Sequence, residues 1–211
     1  AGLGVLYLAQ RSLMYHPTQN LSSPLLSGIP EASSVLLSSE DGITLQSWYS
    51  MPKKETRILV YFHGNAGNIS DRAFKVRPYI DAGFGIMLVG YRGYGGNPGY
   101  PTEIGLFYDG SAALAYLERL GFPPKTWLLY GESLGSAVAV EMAHRYATAA
   151  TPVGALILEA PFTSMTDVAA KHYPYVPTRT LVKDRYDSQA KIATVNTRLL
   201  IFHGDSDRVV P

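Results

Sequence analysis

The chain has 211 residues, of which 46% are apolar and 17% charged, and its formal net charge is +1. That is material for one sizeable core, so one domain is the default. No basic run supplies the electrostatic footprint of a nucleic-acid binder, and the absence of cysteine excludes a disulfide framework, thiolate metal sites and cysteine nucleophiles together.

The chain opens on AGLGVLYLAQR, whose first nine residues are apolar or small. They fall far short of the ~20 needed to cross a bilayer. They read either as the end of a membrane anchor or signal segment that starts before Ala1, with Gln10 and Arg11 at the water boundary, or as a short N-terminal element packed on the domain. Residues 1–16 are set apart on this ground, and residues 17–211 form the folded domain. From His16 to Pro30 prolines and serines dominate without periodicity, which predicts a loop. SSVLLSSEDGITLQSWYSM predicts two short strands around the hairpin dipeptide Asp41-Gly42. RILVYFHG shows no alternation, as expected of a strand buried on both faces of a parallel sheet. A helix over about 70–82 follows, then the strand GIMLVGY, a helix over about 103–120 and the strand TWLLYG. A helix from Leu134 to Tyr146, the strand GALILEA, an irregular segment and the strand RLLIFHG complete the chain. Strands alternating with helices imply an α/β fold of right-handed βαβ units, mostly parallel, with helices on both sheet faces.

Sheets of this kind carry their sites in loops beyond the carboxyl ends of the strands. The notable motifs all stand at such ends: HGNAGN, YRGYGGNPGY, GESLG, EAPFTS and HGDSD. In GESLG, Ser133 lies between the strand ending at Tyr130 and the helix starting at Leu134. A G-x-S-x-G pentapeptide is a weak signal alone; strand before and helix after is the context that thrusts the hydroxyl out above the sheet edge. Gly131 and Gly135 suit the tight turn, where a side chain would meet neighbouring backbone. Read structurally, the same serine is a helix cap. An acyl transfer needs donors for the developing oxyanion. Leu134 offers the N–H after the nucleophile, at the positive end of its helix. Asn65, in the loop after RILVYF, is the choice for the second donor. No His/Asp/Glu cluster has ligand spacing, so no metal is expected, and no cofactor is implied.

HGNAGN, YRGYGGNPGYPTEIGL, GESLGSAVA, LEAPFTS and HGDSDRVVP, in this order, resemble the α/β-hydrolase superfamily. Within it they are similar to the serine-hydrolase branch related to the yeast bud-emergence protein and to mammalian α/β-hydrolase-domain lipid and protein-thioester hydrolases. The resemblance spans about residue 30 to the end. It implies a serine mechanism on Ser133, with the acid in HGDSD at Asp207. Asp205 is the neighbouring competitor, and Glu159 occupies a place from which some superfamily members draw their acid but is better suited to bracing loops. The branch often carries an N-terminal hydrophobic anchor, which points to membrane association through residues 1–9 and otherwise to a cytoplasmic protein.

The family order of nucleophile, acid, histidine puts the base after Asp207. Among the five histidines, His16 comes too early, His63 and His203 open strand-end turns that their rings would brace, and His144 lies on the helix after Ser133. His172, in the irregular segment, is the one substitute with access to the cleft. The family histidine is therefore expected beyond Pro211, together with a last strand and helix, and a chain without it should be nearly inert. Pro161 to Ser188 leaves room for a short lid only. Its Tyr- and Pro-rich KHYPYVPTRTLV, with Tyr91, Tyr94 and Tyr100, is expected to wall an apolar acyl pocket. The expected substrate is a small-molecule or lipid acyl ester or thioester with a medium acyl group. The alternative is a truncated or degenerate hydrolase serving as a binding or scaffold module. A dehalogenase would need a carboxylate where Ser133 stands.

Overall fold

The computed structural model describes residues 2–53, 57–207 and 210. Arg208, Val209 and Pro211 of the last motif, and Ala1 of the N-terminal segment, lie outside the described residues. Helix α1 (Gly2–Met14) and the bridge β1 (His16–Pro17) lead into β2 (Ser33–Ser38), β3 (Thr44–Ser50) and β4 (Ile58–Phe62). After the bridge β5 (Ala66–Gly67) come a 3-10 turn (Ile69–Arg72), α2 (Ala73–Asp81) and β6 (Gly85–Val89). Then follow α3 (Glu103–Arg119), β7 (Trp127–Glu132), α4 (Leu134–Thr148) and β8 (Ala155–Glu159). Three short helices, α5 (Met165–His172), α6 (Thr178–Leu181) and α7 (Gln189–Ile192), precede β9 (Arg198–Phe202).

The described strands form a seven-stranded sheet in the order β2-β3-β6-β4-β7-β8-β9. β2–β3 and β3–β6 pair antiparallel and every later pair is parallel. In β4 the side chains of Ile58, Val60 and Phe62 enter one core, with α3 and α4, while Leu59 and Tyr61 enter a second one under α2. All five residues are buried, which is why the sequence shows an unbroken apolar run there. Burying apolar surface on both faces is what holds such a strand at the centre of the sheet. The edge strand β9 pairs with β8 and is exposed along its length, with Leu200 and Ile201 at 57% and 51%.

One expectation needs correction, and one of the two readings of the N-terminal segment is met. The segment read as irregular contains α5, whose start is capped: Ser164 Oγ accepts the Asp167 N–H at 3.0 Å. The cap satisfies one of the N–H groups that a helix start leaves without an intrahelical partner. The N-terminal segment is a 13-residue helix packed on the domain. Among the described residues no helix is long and apolar enough to cross a membrane. α1 is fastened by its polar residues: Arg11 forks onto the buried Asp184 at 2.8 and 3.1 Å, and Gln10 reaches Leu181 O and the Lys183 N–H.

Candidate active site

The turn from β7 into α4 forces Ser133 into φ 49°, ψ −115°, a region that L-residues adopt only when the surroundings over-determine it. The surroundings do so here. The Ser133 N–H donates to Glu159 O at 2.8 Å, and its carbonyl accepts the Ser136 N–H at 2.8 Å. A β-carbon on Gly131 would lie 2.6 Å from the Gly135 carbonyl oxygen, and one on Gly135 would lie 2.6 Å from that of His63. Only glycine allows the elbow to be packed so tightly. Leu134 begins α4, so its N–H stands at the positive end of the helix, ahead of the intrahelical ladder.

Asn65 lies in the loop after β4. The Asn65 carbonyl accepts the His16 N–H at 2.9 Å and the Tyr94 hydroxyl at 2.8 Å, while Asn65 Nδ2 donates to Met14 O at 2.8 Å. Both sides of the residue are thus tied down. Ser133, Leu134 and Asn65 line one cavity of about 450 Å³. α1 contributes Leu6, Leu13 and Met14 to its walls, α5 contributes Met165, Val168 and Ala169, and Phe162 and Val210 close it. The walls are chiefly apolar, as in a typical ligand site.

Three of the tyrosines expected at this cavity, Tyr91, Tyr94 and Tyr100, are not among its lining residues. Tyr91 and Tyr94 are buried against the His63 ring, at 4.2 and 5.1 Å between centroids, and Tyr100 is 87% exposed. The stretch KHYPYVPTRTLV does wall the cavity as expected, through Tyr173, Val176, Leu181 and Val182, and α1 and α5 supply the rest of the apolar wall. α5 falls in the segment expected to form the short lid, whereas the part played by α1 was hard to foresee, because its contacts to the site are long-range.

The structure brings Asp207 near the site but not into the cavity wall. It follows β9, where Asp207 Oδ1 accepts the N–H of Val210, a cavity residue, at 2.9 Å. Its Oδ2 is 3.5 Å from His203 Nε2, and that nitrogen lies 2.8 Å from Val210 O, so His203 does brace the loop. Asp205 is exposed in the adjoining turn. His63 is fully buried, with Nδ1 2.7 Å from Gly64 O; since a carbonyl only accepts, Nδ1 carries the proton. Burial pushes this imidazole down to about 4. His144 pairs with Thr194 at 2.5 Å. His172, in the last turn of α5, lines the cavity.

Behind the elbow lies a charged cluster that sequence inspection missed. Glu132 receives Arg72 Nε and Nη2 at 3.0 Å each and the Tyr61 hydroxyl at 2.5 Å. Burial works against its carboxylate, but the hydrogen bonds from Arg72 and Tyr61 outweigh it and hold its pKa below the usual value. The Glu159 carboxylate receives Lys75 Nζ at 2.8 and 2.9 Å and the Tyr130 hydroxyl at 2.7 Å. Glu159 therefore braces the elbow through its carbonyl and the cluster through its side chain. Among the described residues no group of three His, Asp or Glu could hold a metal ion.

Comparison with known proteins identifies the family to which this fold belongs. Residues 57–187 match the family described as alpha/beta hydrolase fold, and the chain belongs to that family. It is 39% identical over 206 residues to a Mycobacterium tuberculosis protein, covering 96% of this chain and 71% of that one. It is 33% identical to the bem46 protein of Schizosaccharomyces pombe, covering 99% and 73%. The Danio rerio lysophosphatidylserine lipase ABHD12 is 28% identical, covering 91% and 59%. Among solved structures, a Pyrococcus furiosus esterase superposes with a TM-score of 0.67 at 17% identity, covering 93% and 79%, and so shares the fold.

Proposed function

We propose that the protein is a serine hydrolase that cleaves carboxylic esters or thioesters through an acyl-enzyme on Ser133. The observation that carries this is the strained Ser133 backbone at a strand–helix turn, opening with Leu134 and Asn65 onto one apolar cavity. Strain of this kind is retained where it serves a function. Ser133 Oγ attacks the acyl carbon while its proton passes to an imidazole. The carbonyl oxygen becomes an oxyanion held by the Leu134 and Asn65 N–H groups, a contribution of about 2.7–4 kcal/mol per donor to the barrier. The imidazolium returns the proton to the departing alkoxide or thiolate, and water then cleaves the acyl-enzyme by the same steps. Asp207 orients and stabilises the imidazolium. We assign the imidazole, by analogy with the family order, to a histidine that follows Asp207, and assays use the protein as its gene encodes it.

The chiefly apolar cavity of about 450 Å³ is of the size of small-molecule sites, which suits a medium-length acyl chain. The lipase title of one relative supports a lipid acyl ester among the substrates, and the exposed apolar residues Val5 and Leu8 of α1 support association with lipid. The test is hydrolysis of a p-nitrophenyl ester series from acetyl to dodecanoyl. Ser133→Ala and Asp207→Asn should each lower kcat by about 10⁴-fold or more, whereas His172→Gln should retain most of it. Retained activity in Ser133→Ala, or activity lost with His172 and indifferent to Asp207, would overturn this assignment.

A further inference from the structure

We propose that Arg72 is a positioning residue that clamps the two halves of the oxyanion hole to each other, an inference resting on the serine-hydrolase function proposed above. The two N–H donors come from separate parts of the chain: Leu134 from the elbow after β7, Asn65 from the loop after β4. Nothing in local sequence fixes the distance between them. One guanidinium spans both parts. Arg72 Nε and Nη2 fork onto Glu132, at 3.0 Å each, and Glu132 immediately precedes Ser133. The same Nη2 donates to the carbonyl of Ala66 at 3.2 Å, and Ala66 immediately follows Asn65.

The surroundings are shaped for this one group. Both side chains are 16% exposed, so water competes weakly for their hydrogen bonds. Tyr61 Oη and Lys75 Nζ, at 2.5 and 3.4 Å, also hold Glu132 Oε2, the oxygen that receives Arg72 Nε. The loop that carries Asn65 turns at Gly67, which has φ +77°, and a β-carbon there would lie 2.3 Å from Asp71 Oδ2 and 3.1 Å from Arg72 Nη1. Arg72 ends a 3-10 turn fixed by reciprocal capping, in which Asn68 Oδ1 accepts the Ser70 N–H at 2.9 Å and Asp71 Oδ2 accepts the Asn68 N–H at 2.9 Å. The clamp is therefore rigid at its root. A lysine could balance the charge of Glu132, but a single ammonium cannot form the planar fork and reach Ala66 together. If Arg72 served charge balance alone, lysine would replace it.

The test uses the protein as its gene encodes it, with Arg72→Lys, Arg72→Gln and Glu132→Gln. Three quantities are read: kcat and KM on a p-nitrophenyl ester, inhibition by a trifluoromethyl ketone, whose serine adduct carries an oxyanion, and the urea midpoint. The clamp predicts that Arg72→Lys lowers kcat by about 10- to 10²-fold. KM should stay within about threefold, the signature of an interaction specific to the transition state. The ketone should weaken by the same factor as kcat, and Glu132→Gln, which keeps the shape of the cluster and so guards against simple misfolding, should move in the same direction. The clamp is overturned if Arg72→Lys restores kcat and ketone affinity while Arg72→Gln loses both in step with its urea midpoint, the behaviour of a plain ion pair. It is overturned equally if all three variants keep wild-type kcat. Wild-type hydrolysis that survives Ser133→Ala defeats the parent function and the clamp with it, and so is distinguishable from failure of the clamp alone.

Discussion

Gly135→Ala strikes the junction on which the proposed oxyanion hole depends. An added β-carbon would lie 2.6 Å from the His63 carbonyl oxygen and closer still to that of Phe62. Both oxygens are backbone atoms at the end of β4, a strand held by β6 on one side and β7 on the other. Neither can swing aside as a flexible side chain would. Restoring an ordinary contact of ~3.5 Å requires the elbow to part from the His63 oxygen by about 1 Å and from the Phe62 oxygen, 2.0 Å away, by about 1.5 Å. That parting falls between Leu134 and Asn65. A misplacement of ~1 Å costs on the order of 10²-fold in turnover, and overpacking of a dense core costs about 1–3 kcal/mol of stability. The assay pairs kcat on a p-nitrophenyl ester with urea unfolding. Gly4→Ala is the control, since no atom lies within 4 Å of its added carbon. Gly135→Ala should stay folded, with a lower urea midpoint and kcat reduced about 10²-fold. Wild-type kcat and midpoint in this variant would refute the reasoning.

Three further outcomes follow from named contacts. Burial pushes the His63 imidazole down to about 4, against ~6.5 when unfolded; the unfolded chain takes up the proton first, so His63 stabilises fully above pH ~6.5 and progressively less toward pH 4, by at most on the order of 3 kcal/mol. Urea unfolding between pH 7 and 4.5 should show His63→Gln losing correspondingly less stability than the wild type, and parallel curves would sink the argument. Ala169→Phe fills part of the cavity wall and should move the preferred ester to shorter chains, each excluded methylene costing about fourfold in kcat/KM at ~0.8 kcal/mol; an unchanged chain-length profile would place the acyl group elsewhere. Asp184→Asn weakens the fork to Arg11, whose side chain is 45% exposed, so the expected loss is only about 1 kcal/mol, with faster proteolysis within α1; equal proteolysis rates would show that α1 is held by its apolar contacts instead.

The sheet was legible because β4, β6, β7 and β8 are centred on apolar runs whose burial demands them, and the elbow because two glycines and a serine sit where strand becomes helix. α5 was legible in principle: Ser164 with Asp167 three residues on is a capping signal, masked by the proline- and tyrosine-rich stretch that follows. The role of α1 was not. A short apolar run reads alike as the end of a membrane segment or as a packed helix, and the pairing that fastens α1 to the domain, Arg11 with Asp184, spans 173 positions. Arg72 and Glu132 lie 60 positions apart, and no local pattern links them. Tyr91, Tyr94 and Tyr100 failed for a related reason, since composition says that aromatic groups are present but not which surface they cover.

The most direct measurement is covalent. The protein as its gene encodes it is treated with a fluorophosphonate, digested, and its adduct located by mass spectrometry. A single adduct on the peptide carrying Ser133, lost in Ser133→Ala together with ester hydrolysis, is the predicted result. An adduct on another residue, or undiminished hydrolysis without the Ser133 hydroxyl, would contradict it.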